Sequence, residues 1–160
     1  MKVALFIEPE SYIRKSLIFW KNQFKKKYKN ATYINHPLHL TFFTLEVKSN
    51  LLKDIHSGKF DLNFNLNKKF AINILEPNCF YDDPITRKNT LHYKVEKNKN
   101  LELFQIKMLK KFDNYRIYKN KNYNFGKIKL NNNFKKFGYP FLGKNWLPHF
   151  TICSIEKKYL

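Results

Sequence analysis

At 160 residues the chain can bury a core of its own and fits a single domain. An apolar fraction of 43% with 16 Phe and 10 Tyr excludes a chain disordered by composition. No apolar run approaches the roughly 20 residues of a membrane-spanning helix, so a membrane partner is excluded too. The net charge of +19 suits an anionic substrate. Arginine, however, stands only at Arg14, Arg87 and Arg116, and Lys, Asn, Ile, Phe and Tyr are abundant together. That set belongs to A- and T-rich codons, so codon composition accounts for the charge as readily as a nucleic-acid partner does. Two isolated cysteines, Cys79 and Cys153, form no CxxC pair and point to a reducing, cytoplasmic-type compartment.

In chain order, residues 2–8 read as a strand; the apolar stretch stops at Glu8 and Pro9, too short for a signal-peptide core. Ser11 to Lys29 has Ile13, Leu17, Trp20, Phe24 and Tyr28 at helical spacing. The lysines of its last turns suit the helix dipole and read as a solvated end. A strand follows at about His39–Val47, then a short helix with Ser49 as its cap and Gly58 closing it. Phe60, Leu62, Phe64 and Leu66, then Phe70, Ile72 and Ile74, alternate with polar residues as two antiparallel strands would. Residues 76–89, with two prolines, read as a loop, and Leu91, Tyr93 and Val95 mark another strand. A second long helix is predicted over 99–118, with Leu101, Phe104, Met108, Phe112 and Tyr115 on one face. The remainder reads as strand and loop. No linker divides the chain, but a long helix followed by a strand with His-x-Thr occurs in each half.

Two segments carry the chemistry, HPLHLTFFTLEV at 36–47 and NWLPHFTICSI at 145–155. Alternate residues of a strand share a face, so His39 and Thr41 point one way while Leu40 and Phe42 point into the core. In the second segment His149 and Thr151 share a face, opposed by Phe150 and Ile152. One His-x-Thr means little; two, each with a proline just before it (Pro37 and Pro148), form a pattern. Cutting a phosphodiester needs a base to activate a nucleophile and an acid to protonate the leaving oxygen. Two imidazoles, one neutral and one protonated, supply both near neutral pH. A Thr hydroxyl beside each imidazole is a donor for the phosphoryl oxygens. The set requires neither metal nor cofactor.

HLT at 39–41, PHFT at 148–151 and the opening VALFIEP resemble the 2H phosphoesterase superfamily, which includes the 2′–5′ RNA ligase-like proteins and RNA cyclic phosphodiesterases. The resemblance implies an α+β fold of two lobes spanning 1–160, with antiparallel sheets facing a central groove, helices outside and one His-x-Thr from each lobe. It implies that His39, Thr41, His149 and Thr151 are catalytic. The substrate would be a 2′,3′-cyclic or 2′–5′ phosphodiester of an RNA or oligonucleotide, with no obligate protein partner. A second reading keeps the chemistry and makes the substrate a cyclic or 2′–5′ oligonucleotide messenger, so that the protein ends a signal. A third, a non-catalytic RNA-binding module, has no need of an acid–base pair.

Tyr139, Lys144 and Trp146, just upstream of the second motif, are candidates to stack on a base or meet a phosphate, and Trp146 equally suits the core. His92 shares a polar strand face with Thr90 and Lys94, for which a structural role is the simpler reading. His36 and His56 read as surface residues. Asp82 and Asp83, before Pro84, suit a turn better than a metal site. Cys153 would continue the His149–Thr151 face and border the site, but a small packing residue is the simpler reading.

Overall fold

The computed structural model describes residues 1–61, 71–117 and 124–159. Its elements are β1 (Lys2–Ile7), α1 (Ser11–Lys27), β2 (Leu40–Glu46), α2 (Asn50–His56), β3 (Ile74–Phe80), β4 (Asn89–Val95), α3 (Lys99–Lys111), α4 (Ile128–Phe137) and β5 (His149–Ile155). The fold is α+β. The strands form one five-stranded sheet in the order β1-β2-β5-β4-β3. The β2–β5, β5–β4 and β4–β3 pairs are antiparallel. At the open end of β1 the Met1 ammonium donates to the Val47 carbonyl and the Val47 N–H donates to Met1, the reciprocal bonds of an antiparallel pair.

The chain divides into two compact units. The first comprises Met1–Leu5, Phe42–Ala71 and Lys97–Trp146. Its core is aromatic: Phe42 meets Phe104 and Trp146, and Phe43 meets Phe112, which in turn meets Phe60. Buried Gln105 ties three segments together, donating to the Phe42 and Phe141 carbonyls and accepting from the Gly143 N–H. Such an amide is stable in a core because its polar atoms are satisfied. Asn98 caps α3, its side chain accepting from the Leu101 N–H. That helix ends at Lys111, short of the 118 its apolar spacing suggested, because 112–115 turn away instead. Tyr115 is anchored there by a hydrogen bond to the Asp54 carboxylate.

The second unit comprises Phe6–Thr41, Ile72–Glu96 and Leu147–Leu160. Phe24, Tyr28 and Ala31, from α1 and the segment after it, pack with Leu91 and Tyr93 against Ile34, Ile152, Cys153 and Ile155. One sheet face is thereby covered by α1. Lys25, Lys26 and Lys27 end that helix in solvent, as expected. Lys21, one turn earlier, is buried instead, and its ammonium donates to the His36 carbonyl at 2.6 Å. Desolvation pulls its pKa down to about 8, because burial disfavours the charged form.

Several expectations change. Residues 76–80, read as loop because of Pro77, belong to β3. Proline is tolerated there because β3 is the sheet edge, paired only with β4, and its register shifts between Ile74 and Pro77. Helix α4 lies where strand and loop were expected; Leu130, Phe134 and Phe137 have helical spacing, and Gly138 closes it at φ 72°. The expected strands at 60–74 fall largely outside the described residues. The two facing sheets, each bearing one motif, are replaced among the described residues by one sheet in which the motif strands β2 and β5 are neighbours.

Candidate active site

Leu40 of β2 and Phe150 of β5 are register partners, and both are buried. One residue to either side, antiparallel pairing sets His39 opposite Thr151 and Thr41 opposite His149. All four side chains stand on the face turned away from Leu40 and Phe150. Opposite Cβ atoms in such a pair are about 4.5–5.5 Å apart and diagonal ones about 7–8 Å, which is the His39–His149 relation. One phosphoryl group can span that gap. The two motifs make one constellation.

β4 extends it on the other side. His92 pairs with Thr151, and Lys94 with His149. Thr151 thus lies between His39 and His92, and His149 between Thr41 and Lys94. Lys94 is held by Glu76 at 2.9 Å. The polar face expected for Thr90, His92 and Lys94 is therefore the face of the two motifs.

Each of these three histidines is oriented in the same way. His39 Nδ1–H donates to the Pro37 carbonyl at 2.8 Å, His149 Nδ1–H to Leu147 at 2.7 Å and His92 Nδ1–H to Thr90 at 3.1 Å. A carbonyl can only accept, so the proton of each neutral ring sits on Nδ1 and Nε2 carries the free lone pair. The acceptor is two residues upstream in every case. Leu147 is kept extended by the proline that follows it. The Pro148 carbonyl meanwhile accepts from Val95, fixing the start of β5.

The rings differ in their surroundings. His92 is 1% exposed and stacked on Phe80, centroids 3.8 Å apart. Burial drives its pKa down to about 4, outweighing the Thr90 hydrogen bond, so it is neutral at physiological pH. His149 is walled by Phe80, edge-on at 4.9 Å, and by His92 at 5.1 Å. Burial is the main cause holding its pKa below 6.5; His39 acts in the same sense, while the Leu147 carbonyl and Asp83 oppose. His39 lies beside Phe6, at 5.0 Å, whose ring is half exposed.

On the same face, further along β4 and β5, a buried hydroxyl network joins the two strands. Thr90 Oγ1 donates to Asp83 Oδ2 at 2.6 Å and lies 2.7 Å from Ser154 Oγ, and Thr86 joins it at 3.2 Å. Asp83 Oδ1 accepts from the Ile85 N–H, and the Asp83 N–H donates to the Lys88 carbonyl. The turn role expected of Asp83 is what the geometry displays. Thr90→Val leaves a buried carboxylate short of a donor and is expected to destabilise the fold by about 1–3 kcal/mol. Urea unfolding checks it, with Thr90→Ser close to the parent.

Cys153 is the small packing residue expected, but it does not continue the His149–Thr151 face. β4 and β5 pair Leu91 with Cys153 and His92 with Thr151, leaving Ile152 without a partner. This bulge turns Ile152 and Cys153 to the same side, into the core under α1, and returns Ser154 to the face of Thr90. Burial pushes the Cys153 thiol up to about 11. It is a packing residue.

The three substrate-binding candidates fall in the first unit, whereas the two motifs fall in the second. Trp146 is 2% exposed with its ring against Phe42, so its face is spent on the core and is not offered to a base. Tyr139 is partly buried beside Phe141, its phenol pushed above the usual range by desolvation. Lys144 is exposed, and its carbonyl accepts from Lys97. His36 and His56 are exposed. The residue missed in the sequence is Phe80, because Pro77 disguised its strand. Among the described residues no three His, Cys, Asp or Glu side chains gather as a metal-ligand set, and no helix is long and apolar enough to cross a membrane. No family model, curated protein or solved structure matches the chain.

Proposed function

We propose that this protein is a 2H-type phosphodiesterase that hydrolyses a 2′,3′-cyclic or 2′–5′ phosphodiester of RNA or an oligonucleotide. The observation that carries the reading is the Leu40–Phe150 register, which makes cross-strand neighbours of two His-x-Thr motifs with matching Nδ1 bonds. His149, whose surroundings disfavour the imidazolium, takes a proton from water at Nε2 as the water oxygen attacks phosphorus. His39, entering protonated, gives its Nε2 proton to the ribose oxygen as the P–O bond breaks. A phosphomonoester and a free hydroxyl result, and proton exchange with solvent resets both rings. The Thr41 and Thr151 hydroxyls steady the phosphoryl oxygens.

The test is a panel: a short RNA ending in a 2′,3′-cyclic phosphate, a 2′–5′ oligoadenylate, and cyclic di- and trinucleotides. At least one 2′-linked or 2′,3′-cyclic member is expected to be cleaved, at the same rate with and without EDTA, because imidazoles supply both acid and base. Binding of RNA with no turnover of any member would establish the non-catalytic module instead. Loss of turnover on chelation, restored by Mn²⁺ or Zn²⁺, would overturn the mechanism. Preference for the cyclic oligonucleotides would move the protein to signal degradation.

A further inference from the structure

The chain uses arginine three times among 31 basic residues, so each use asks for a reason that lysine does not meet. Arg14 pairs with Glu8, and Arg116 with Asp113 and the Phe137 carbonyl. Arg87 is different. Among the described residues no carboxylate pairs with it, and its side chain is exposed. It lines a cleft of about 380 Å³ together with Glu156, Lys157 and Lys158. The acid in that cleft is already committed, since Glu156 binds Lys88 at 2.7 Å; Lys157 is bound by Asp82. The surplus charge at the cleft is positive.

The loop that presents Arg87 is held in place. Arg87 has φ 60°, a left-handed conformation uncommon outside glycine. Its N–H donates to the Asp83 carbonyl at 2.7 Å, and Lys88 on its far side accepts from the Asp83 N–H at 2.9 Å. Buried Asp83 is the hub of both bonds. A planar, five-donor cation on a pinned turn is preorganised for a tetrahedral anion, which it can meet with two parallel N–H bonds.

Its place relative to the motifs is fixed by β5. That strand begins at His149 and ends at Ile155, immediately before Glu156. Glu156 lies five steps along the chain from Thr151, a path of roughly 15 Å at strand rise. A single nucleotide bound at the histidines does not reach so far; an RNA backbone several nucleotides long does. Resting on the phosphodiesterase reading, we infer that the Arg87 cleft binds a second, internal phosphate of the same substrate. The substrate is then an RNA chain rather than a mononucleotide or a cyclic dinucleotide.

Two substrates separate the ideas: a dinucleotide and an octanucleotide, both ending in a 2′,3′-cyclic phosphate. Arg87→Gln is expected to lower kcat/KM on the octanucleotide by about tenfold or more, the loss of one charged hydrogen-bonded interaction. Turnover of the dinucleotide stays at the parent's value. The slope of log kcat/KM against log salt on the octanucleotide should flatten by about 0.7 for each phosphate that the variant no longer neutralises. Equal losses on both substrates would mean that the turn acts through the histidines, and no loss on either would mean an idle cleft; both overturn the inference. If the parent protein cleaves neither substrate, the phosphodiesterase reading falls by itself. Fluorescence anisotropy with an octanucleotide ending in a 3′-phosphate then decides the cleft: weaker binding and a flatter salt slope for Arg87→Gln uphold it, and identical curves end it.

Discussion

His39→Ala and His149→Ala are each expected to lower kcat/KM on the cleaved substrate by at least about a hundredfold, the lower range for removing a general acid or base. The double variant should lose little more than the worse single one, because acid and base act in the same step and their losses do not add. Neither change should unfold the protein. Both rings are only partly buried, and each donates from Nδ1 to a backbone carbonyl close in sequence that water can satisfy instead. Thr41→Ala and Thr151→Ala should cost less, each removing one donor to a phosphoryl oxygen. Steady-state kinetics beside circular dichroism make the check. Near-parental activity in the double histidine variant would move the site elsewhere.

The two motifs were legible in the sequence because alternation in a strand is local. Which way His39, Thr41, His149 and Thr151 face follows from their neighbours Leu40 and Phe150, and the structure bears out that alternation. That β2 and β5 are hydrogen-bonded neighbours was not legible, since register is set by partners more than a hundred residues apart in the chain. The bulge at Ile152 was hidden for a related reason. A bulge is an extra residue relative to the opposite strand, so ICSI alone does not disclose that Cys153 turns inward. β3 was lost to a rule about proline that is sound for central strands and relaxed at an edge. In α4 the three asparagines at 131–133 diluted a helical pattern that Leu130, Phe134 and Phe137 still carried.

Trp146 and Phe80 exchanged roles for a physical reason as well. A tryptophan just before a motif suggests a base platform, yet its large apolar ring was needed against Phe42 in the core of the first unit. Phe80, in a stretch that looked like loop, is the ring that walls His149. It sits on the face of Thr90, its register partner, and stacks on His92. The aromatic content of the chain therefore serves the site indirectly, by keeping water from one imidazole.

That wall sets the second large effect, in the pH profile. kcat/KM should be bell-shaped, falling about tenfold per pH unit beyond each limb, since one histidine must be neutral and the other charged. The acid limb reports the base. His149 is held below 6.5 chiefly by burial, with His39 acting in the same sense and Asp83 and the Leu147 carbonyl opposing, so that limb should lie below pH 6.5. The sign follows directly: a base with a lowered pKa stays neutral, and active, into more acidic solution. Phe80→Ala admits water beside the ring, removes the largest cause of the shift and lets the pKa rise towards 6.5. The acid limb then moves to higher pH. At pH 5 the variant should lose several times more activity than it loses at pH 7.5, while Phe80→Leu, which keeps an apolar wall, should track the parent. Profiles measured for all three proteins on one substrate give the answer. Equal fractional losses at both pH values would show that Phe80 only props the sheet, and would return the choice of base to His39.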